Sequence, residues 1–329
     1  MINNMNITLI GTGVYGLAIA SALAKNKHKI VMWTESNQKY EEYLKTRNLK
    51  SICDFYTLPN NIIITNNLED ALNKTQMIFL TCASKYVEET VKMIKPLYKE
   101  NTPICIASKG IEENTSELLS NIVKKTLNTK KVAVISGPTF AVDMLKNEPV
   151  ALAIASIDKN TKYQVAQTLK NNTLKLRISK DIIGIQICGS VKNIIAIASG
   201  ILGGLGYSES TQAFLINESL HDIKRLITFL GGKPKTILSF AGVGDLLMTS
   251  MSKKSRNYSF GYVIGSTNDK TEVKKFLETH TVEGFTTLKT VINLLKKKYI
   301  NIELIYLIND IVEGEKNPHE LADFLINKK

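Results

Sequence analysis

Lys192 stands inside CGSVKNIIAIASG, residues 188 to 200, a stretch otherwise made of apolar and small residues, with Asn193 beside it. Burying an ammonium without partners costs several kcal/mol or more. A lysine there has work to do, and the chemistry open to it is proton exchange. Desolvation lowers a lysine pKa from its usual value of about 10.4, which brings it toward general acid–base duty. A second polar run, GVGDLLMTSMSKKSRN, spans residues 242 to 257. Its Asp245 would pull the Lys192 pKa back up and hold the ammonium's orientation. Its Arg256 has the fork geometry that clamps a phosphate. Ser255-Arg256-Asn257 precedes a predicted helix, whose first amides would add to an anion site. The plainer reading of Ser255 is an N-cap, and of Arg256 a solvated charge.

The N-terminal end carries different chemistry. NITLIGTGVYGLAIASALAKNKHKIVMWTE contains Gly11-x-Gly13-x-x-Gly16, directly after one predicted strand and opening a helix, with a second strand beyond. That context turns a glycine pattern into a dinucleotide fingerprint. Gly11 permits the tight turn, Gly13 lets the backbone approach a pyrophosphate, and Gly16 lets helix and sheet pack closely. Glu35, at the end of the second strand, suits the ribose hydroxyls and repels a 2′-phosphate, so it favours NAD over NADP. Lys109 follows a predicted buried strand and precedes Gly110. It fits both an ammonium aimed into the ligand crevice and a surface lysine. No histidine or cysteine spacing suggests a metal site.

The elements that must position these residues fall into two halves. Apolar, β-branched runs at 6–10, 29–33, 62–65, 77–81, 103–107, 132–136 and 151–155 read as strands covered on both faces. Helix-length segments lie between them, including 15–26, 87–94 and 115–127. The alternation predicts a doubly wound, mostly parallel sheet of Rossmann type. From about residue 181 strand-like runs vanish and long helical patterns follow: 182–200, 211–230, 259–265, 271–279, 286–298 and 302–312. Glycine clusters (Gly203, Gly204, Gly206; Gly231, Gly232; Gly242, Gly244) punctuate them. The expectation is α/β architecture with two domains: residues 1–180 for the dinucleotide, and an all-helical 181–329 for substrate and catalysis.

Composition narrows the class. The chain has 329 residues, 44% hydrophobic and 22% charged, with a net charge of +12. The positive charge invites a nucleic-acid reading. Its lysines are dispersed, without a basic tract or interleaved aromatics, and suit an anionic small substrate equally. The four cysteines are far apart and fit a reduced cytoplasm. The N-terminus enters a strand at once and lacks the pattern of a signal peptide. Residues 182–206 are long and apolar enough to mimic a membrane span, but Lys192 and Asn193 near the centre favour a buried core helix.

Taken together, GTGVYGLAIA, SKG (108–110), SGPTFA (136–141), VKNIIAIASG, GVGDLLMTS…SRN and VEG (282–284) resemble, in order and spacing, the NAD(P)-dependent glycerol-3-phosphate dehydrogenases of bacterial type. The resemblance implies interconversion of dihydroxyacetone phosphate and sn-glycerol 3-phosphate, the headgroup precursor of phospholipids, by a cytoplasmic homodimer. It implies that Lys192 is the catalytic proton acceptor in oxidation, and the donor in reduction. Val14, Tyr15, Ala141, Val282 and Glu283 resemble cofactor contacts. Lys109 is similar to a lysine that touches cofactor and substrate. Gly137, Thr139, Asp245, Ser255, Arg256 and Asn257 match a substrate pocket, with Arg256 also near the cofactor, and Asn193 would fix the substrate's hydroxyls or the lysine. Three departures stand out. Glu35 stands where family members often have a basic residue nearby, Ser250 replaces a common cysteine, and Cys188 and Ser190 replace the usual small residues flanking Gly189. Two other readings remain: a dehydrogenase of the same plan acting on a 3-hydroxy acid or sugar acid, and a catalytically silent nucleotide sensor or nucleic-acid binder.

Overall fold

The computed structural model describes residues 4–267 and 269–328. The chain divides into two compact units: residues 1–109 with 119–182, and residues 110–118 with 183–329.

The first unit is built on one eight-stranded sheet. Its strands are β1 (Asn6–Ile10), β2 (Lys29–Trp33), β3 (Ile62–Thr65), β4 (Met77–Leu80), β5 (Ile104–Ile106), β6 (Val132–Ser136), β7 (Val150–Ser156) and β8 (Leu174–Ser179). The order is β3-β2-β1-β4-β5-β6-β7-β8. All pairs are parallel except β6 with β7, where Ala133 faces Ser156. The order reverses between β1, which pairs with β2 and β4, and its neighbours, so the glycine loop after β1 opens at the switch point. The seven expected strands are all present. Their central residues, such as Ile7, Leu9, Phe79 and Cys105, are fully buried because helices cover both faces.

One strand of this half was not foreseen, and one expected helix is corrected. Residues 174–179, LKLRIS, form an edge strand parallel to β7. Its exposed Lys175 and Arg177 alternate with Leu174 and Leu176, so it lacks the continuous apolar run of a central strand. The helix expected over 115–127 spans only Leu119–Leu127. Ahead of it the Glu112 carboxylate accepts hydrogen bonds from Thr115 N (2.6 Å), Thr115 Oγ1 (2.6 Å) and Asn114 N (3.1 Å), which fixes a turn. Burial works against the Glu112 charge, but those bonds prevail and hold its pKa below the usual value. The turn is closed by a bridge between Ile111 and Leu118 and belongs with the second unit.

The second unit is helical, as expected. Its central helix, Ile182–Gly204, has every residue from Ile185 to Leu202 buried. It is long and apolar enough to cross a membrane, yet 94% of its most apolar window is buried inside the chain. Gly203 and Gly204 lie within this helix instead of ending it, and the reason is close packing. A Cβ on Gly200 or Gly204 would overlap the carbonyls of Tyr258 or Tyr262. A Cβ on Gly261 or Gly265 would overlap those of Ile197 or Ile201. Glycines at i and i+4 on both helices thus let Ile182–Gly204 and Arg256–Ser266 touch backbone to backbone. The crossing brings the Lys192-Asn193 helix alongside the helix headed by Ser255.

Candidate active site

In the first unit the glycine loop joins β1 to the helix Val14–Lys25, whose N-cap is Gly13. Gly11 has φ +115, a left-handed value that favours glycine. A Cβ on Gly16 would lie 2.7 Å from Gly11 O and 2.8 Å from Thr81 Oγ1, so only glycine lets the helix start this close to the sheet. A Cβ on Gly13 would meet nothing within 4 Å, which leaves the backbone open to a ligand. Thr12 Oγ1 donates to Thr34 Oγ1 at 2.9 Å and ties the loop to the end of β2. A cavity of about 420 Å³ follows, lined by Gly11, Gly13, Trp33, Glu35, Lys39 and Cys82 among others. Glu35 is exposed at its edge. These residues fit a dinucleotide: open amides for its pyrophosphate and a carboxylate for a ribose.

A second group in this unit lies at the carboxyl ends of β5 and β6. Lys109 Nζ donates to Gly137 O at 3.3 Å. Thr139 Oγ1 donates to the same carbonyl at 3.4 Å and contacts Tyr15 OH at 3.3 Å. Either hydroxyl can donate in the Tyr15–Thr139 contact. Tyr15, Lys109, Gly137 and Thr139 therefore form one network linking the glycine-loop helix to the end of β6. Ala141 opens the short helix Ala141–Leu145 just beyond, and Val14 is 37% exposed on the loop.

In the second unit Lys192 is buried, as its sequence context required. Its Nζ donates to Asp245 Oδ1 and, at 2.8 Å, to Thr249 Oγ1. Asp245 is fully buried at the start of the helix Asp245–Ser250. Thr249, one turn on, donates its hydroxyl proton to Asp245 O at 2.7 Å, and so can only accept from Lys192. The ammonium is thus held by two oxygens from successive turns of one helix. Such a pair is costly to desolvate and more costly to break, which makes it a positioning device more than a source of stability.

Beside it, Asn193 Oδ1 accepts from Asn257 Nδ2 at 3.0 Å, and Asn257 Oδ1 accepts from Gly284 N at 2.8 Å. Asn193 Nδ2 is buried with no partner among the described residues, a donor awaiting an acceptor. A Cβ on Gly284 would lie 2.7 Å from Asn193 O and 2.8 Å from Asn257 Oδ1, which explains the glycine of VEG. Val282, buried, is the N-cap of the helix Glu283–Lys298, and Glu283 is its first residue. Ser255 takes the plainer of its two readings at least in part, as its Oγ caps Arg256–Ser266 by accepting from Tyr258 N at 3.3 Å. Arg256 is exposed in the first turn of that helix.

Each unit therefore gathers its own share of the expected residues. Sequence reasoning missed Thr249, although its i+4 spacing from Asp245 was a usable signal. It also missed Lys39 in the nucleotide cavity, which sits in a helix (Asn37–Thr46) that had no clear apolar period.

Comparison with known proteins agrees over the whole length. The profile of the NAD-dependent glycerol-3-phosphate dehydrogenase N-terminus matches residues 6–162, and that of its C-terminus matches residues 181–323. A glycerol-3-phosphate dehydrogenase (NAD(P)+) of Thermoanaerobacter sp. (strain X514) is 33% identical over 324 residues, covering 98% of this chain and 97% of that one. A crystal structure of glycerol-3-phosphate dehydrogenase from Coxiella burnetii superposes with a TM-score of 0.93 at 29% identity, covering 99% of both chains. A yeast glycerol-3-phosphate dehydrogenase structure, 21% identical with a TM-score of 0.86 over 98% of this chain and 99% of that one, shares the fold. With a fingerprint loop in one unit, a buried lysine–aspartate pair in the other and matches that span both, this chain belongs to the NAD-dependent glycerol-3-phosphate dehydrogenase family.

Proposed function

We propose that the chain catalyses the NAD(P)-dependent interconversion of dihydroxyacetone phosphate and sn-glycerol 3-phosphate. The observation that carries this reading is Lys192, buried on an apolar helix and gripped by Asp245 and Thr249. In the direction of reduction Lys192 Nζ gives a proton to the substrate's C2 oxygen. In oxidation it takes that proton back. When bound, the nicotinamide cofactor supplies or accepts the hydride. Asp245 and Thr249 hold Nζ in place, so no reorganisation is needed as charge develops on the oxygen. Asn193 Nδ2 offers a hydrogen bond to a substrate hydroxyl, with its amide oriented by Asn257. Arg256, with Ser255 and Asn257, receives the phosphate, and Lys109, Gly137 and Thr139 complete the substrate set. Gly11, Gly13, Val14, Tyr15, Gly16, Glu35, Lys109, Ala141, Arg256, Val282 and Glu283 hold the cofactor.

On this reading residues 1–180 serve the dinucleotide and 181–329 the substrate. The enzyme works as a cytoplasmic homodimer that makes a phospholipid precursor. The deciding experiment follows NADH and NADPH oxidation with dihydroxyacetone phosphate against unphosphorylated keto acids and 3-hydroxy acids in the reverse direction. Turnover confined to the phosphorylated ketone is expected. Preference for an unphosphorylated acid would overturn the proposal.

A further inference from the structure

Lys39 occupies a position that helix energetics alone disfavour. It is the third residue of Asn37–Thr46, whose N-cap is Ser36 and whose first turn holds no acidic residue. That third position is where a glutamate completes a capping box and complements the helix dipole; a cation there is opposed by the same dipole. Its local gain is a weak, solvent-screened attraction to Glu42 one turn on, and a local rule broken for so little points to a use. The surroundings suggest which. Among the described residues lining the nucleotide cavity Lys39 is the one cation, and it shares the cavity with two carboxylates, Glu35 and Glu89. Among the described residues neither Glu35 nor Lys39 is in an ion pair. The lysine is also tied to the glycine loop by a continuous set of bonds. Thr12 Oγ1 donates to Thr34 Oγ1 (2.9 Å), Ser36 N donates to Thr34 Oγ1 (3.2 Å), and Lys39 N donates to Ser36 Oγ (3.3 Å).

We propose that Lys39 is a specificity-determining residue that receives a 2′-phosphate on the cofactor's adenosine ribose, offsetting the repulsion from Glu35 so that the enzyme accepts both NADP and NAD. The proposal rests on the dehydrogenase reading for its biological use, but not for its test. Glu35 serves the unmodified ribose, and Lys39 supplies the countercharge when that ribose is phosphorylated. A single charge-assisted contact of this kind is strong enough to shift relative affinity by an order of magnitude.

The test compares wild type, Lys39→Gln and Lys39→Arg. Calorimetry measures binding of 2′,5′-ADP and of 5′-ADP, and steady-state kinetics measure kcat and KM for NADPH and NADH. Lys39→Gln is expected to weaken 2′,5′-ADP about tenfold and to leave 5′-ADP within about twofold. Lys39→Arg restores the difference. In turnover, KM for NADPH rises with kcat unchanged, and NADH is unaffected. Unchanged 2′,5′-ADP binding, equal weakening of both nucleotides, or no binding of 2′,5′-ADP by the wild type would each overturn the role. If the binding pattern holds while dihydroxyacetone phosphate is not reduced, Lys39 keeps its role and the proposed reaction falls.

Discussion

Gly261 packs so closely on Ile197 that a methyl on its Cα would overlap the Ile197 carbonyl oxygen. The reciprocal contact, Gly200 on Tyr258, has the same character. This crossing is where the helix of Lys192 meets the helix of Asn257. Gly261→Ala should therefore destabilise the chain by about 1–3 kcal/mol, which outweighs the ~1 kcal/mol that alanine gains in helix propensity. The check is a thermal or urea melt; an unchanged midpoint would mean the helices can part at little cost.

Lys192→Ala should bind NADH yet lose about 10²–10⁴ in turnover. It also leaves Asp245 buried without its ammonium, a loss of about 3 kcal/mol or more in stability. Adding Asp245→Ala should recover part of that stability but none of the activity, since the two residues act as a unit. NADH fluorescence titration, melts and rates on the three proteins separate the effects. Near-normal turnover in Lys192→Ala would remove the lysine from the mechanism.

Thr249→Val removes an oxygen that Lys192 grips and keeps the shape. The expected result is about a tenfold fall in kcat, with little change in the KM for NADH, and recovery in Thr249→Ser. A changed pH profile of kcat would mark a positioning role, as opposed to a general loss of folding. An unaltered kcat and profile would show that Asp245 alone suffices.

Ser250 presents a buried hydroxyl that has no partner among the described residues. Burying such a group unmet costs about 1–3 kcal/mol, while a thiol behaves there as a small apolar group. Ser250→Cys should raise stability by about 1 kcal/mol with kcat unchanged. A lower melting midpoint would show that the hydroxyl is satisfied in solution.

Glu35→Arg should move the ratio of kcat/KM for NADPH to that for NADH upward by about tenfold, or about 1.4 kcal/mol. A constant ratio would show that the carboxylate at the end of β2 does not read the ribose.

Much of this architecture was legible because covered parallel strands write themselves as unbroken apolar runs. β1, β4 and β6 are examples. β8 escaped because at the sheet's edge Lys175 and Arg177 face water, and the run is broken. Lys192 was legible because a charge amid apolar residues contradicts its surroundings. Thr249 was not, because a threonine on a helix contradicts nothing; only its bond to Lys192 singles it out. Gly203 and Gly204 resembled a stop signal, and sequence alone cannot tell a helix-ending glycine from one pressed against another backbone. Residues 115–118 misled for a similar reason: they belong to the turn fixed by Glu112 but read as the start of a helix.

That same segment has a practical consequence. Residues 110–118 interrupt the sheet unit in sequence but count with the helical one, and Lys297 Nζ donates to Thr115 O at 3.4 Å. The backbone therefore passes from one unit to the other three times. A gene cut after codon 180 would not yield two self-sufficient proteins, because the N-terminal fragment would carry nine residues stripped of their neighbours, buried Ile111 among them. Anyone wishing to express either half alone must bridge residues 109 and 119 with a short linker in the first fragment, and supply the missing loop to the second.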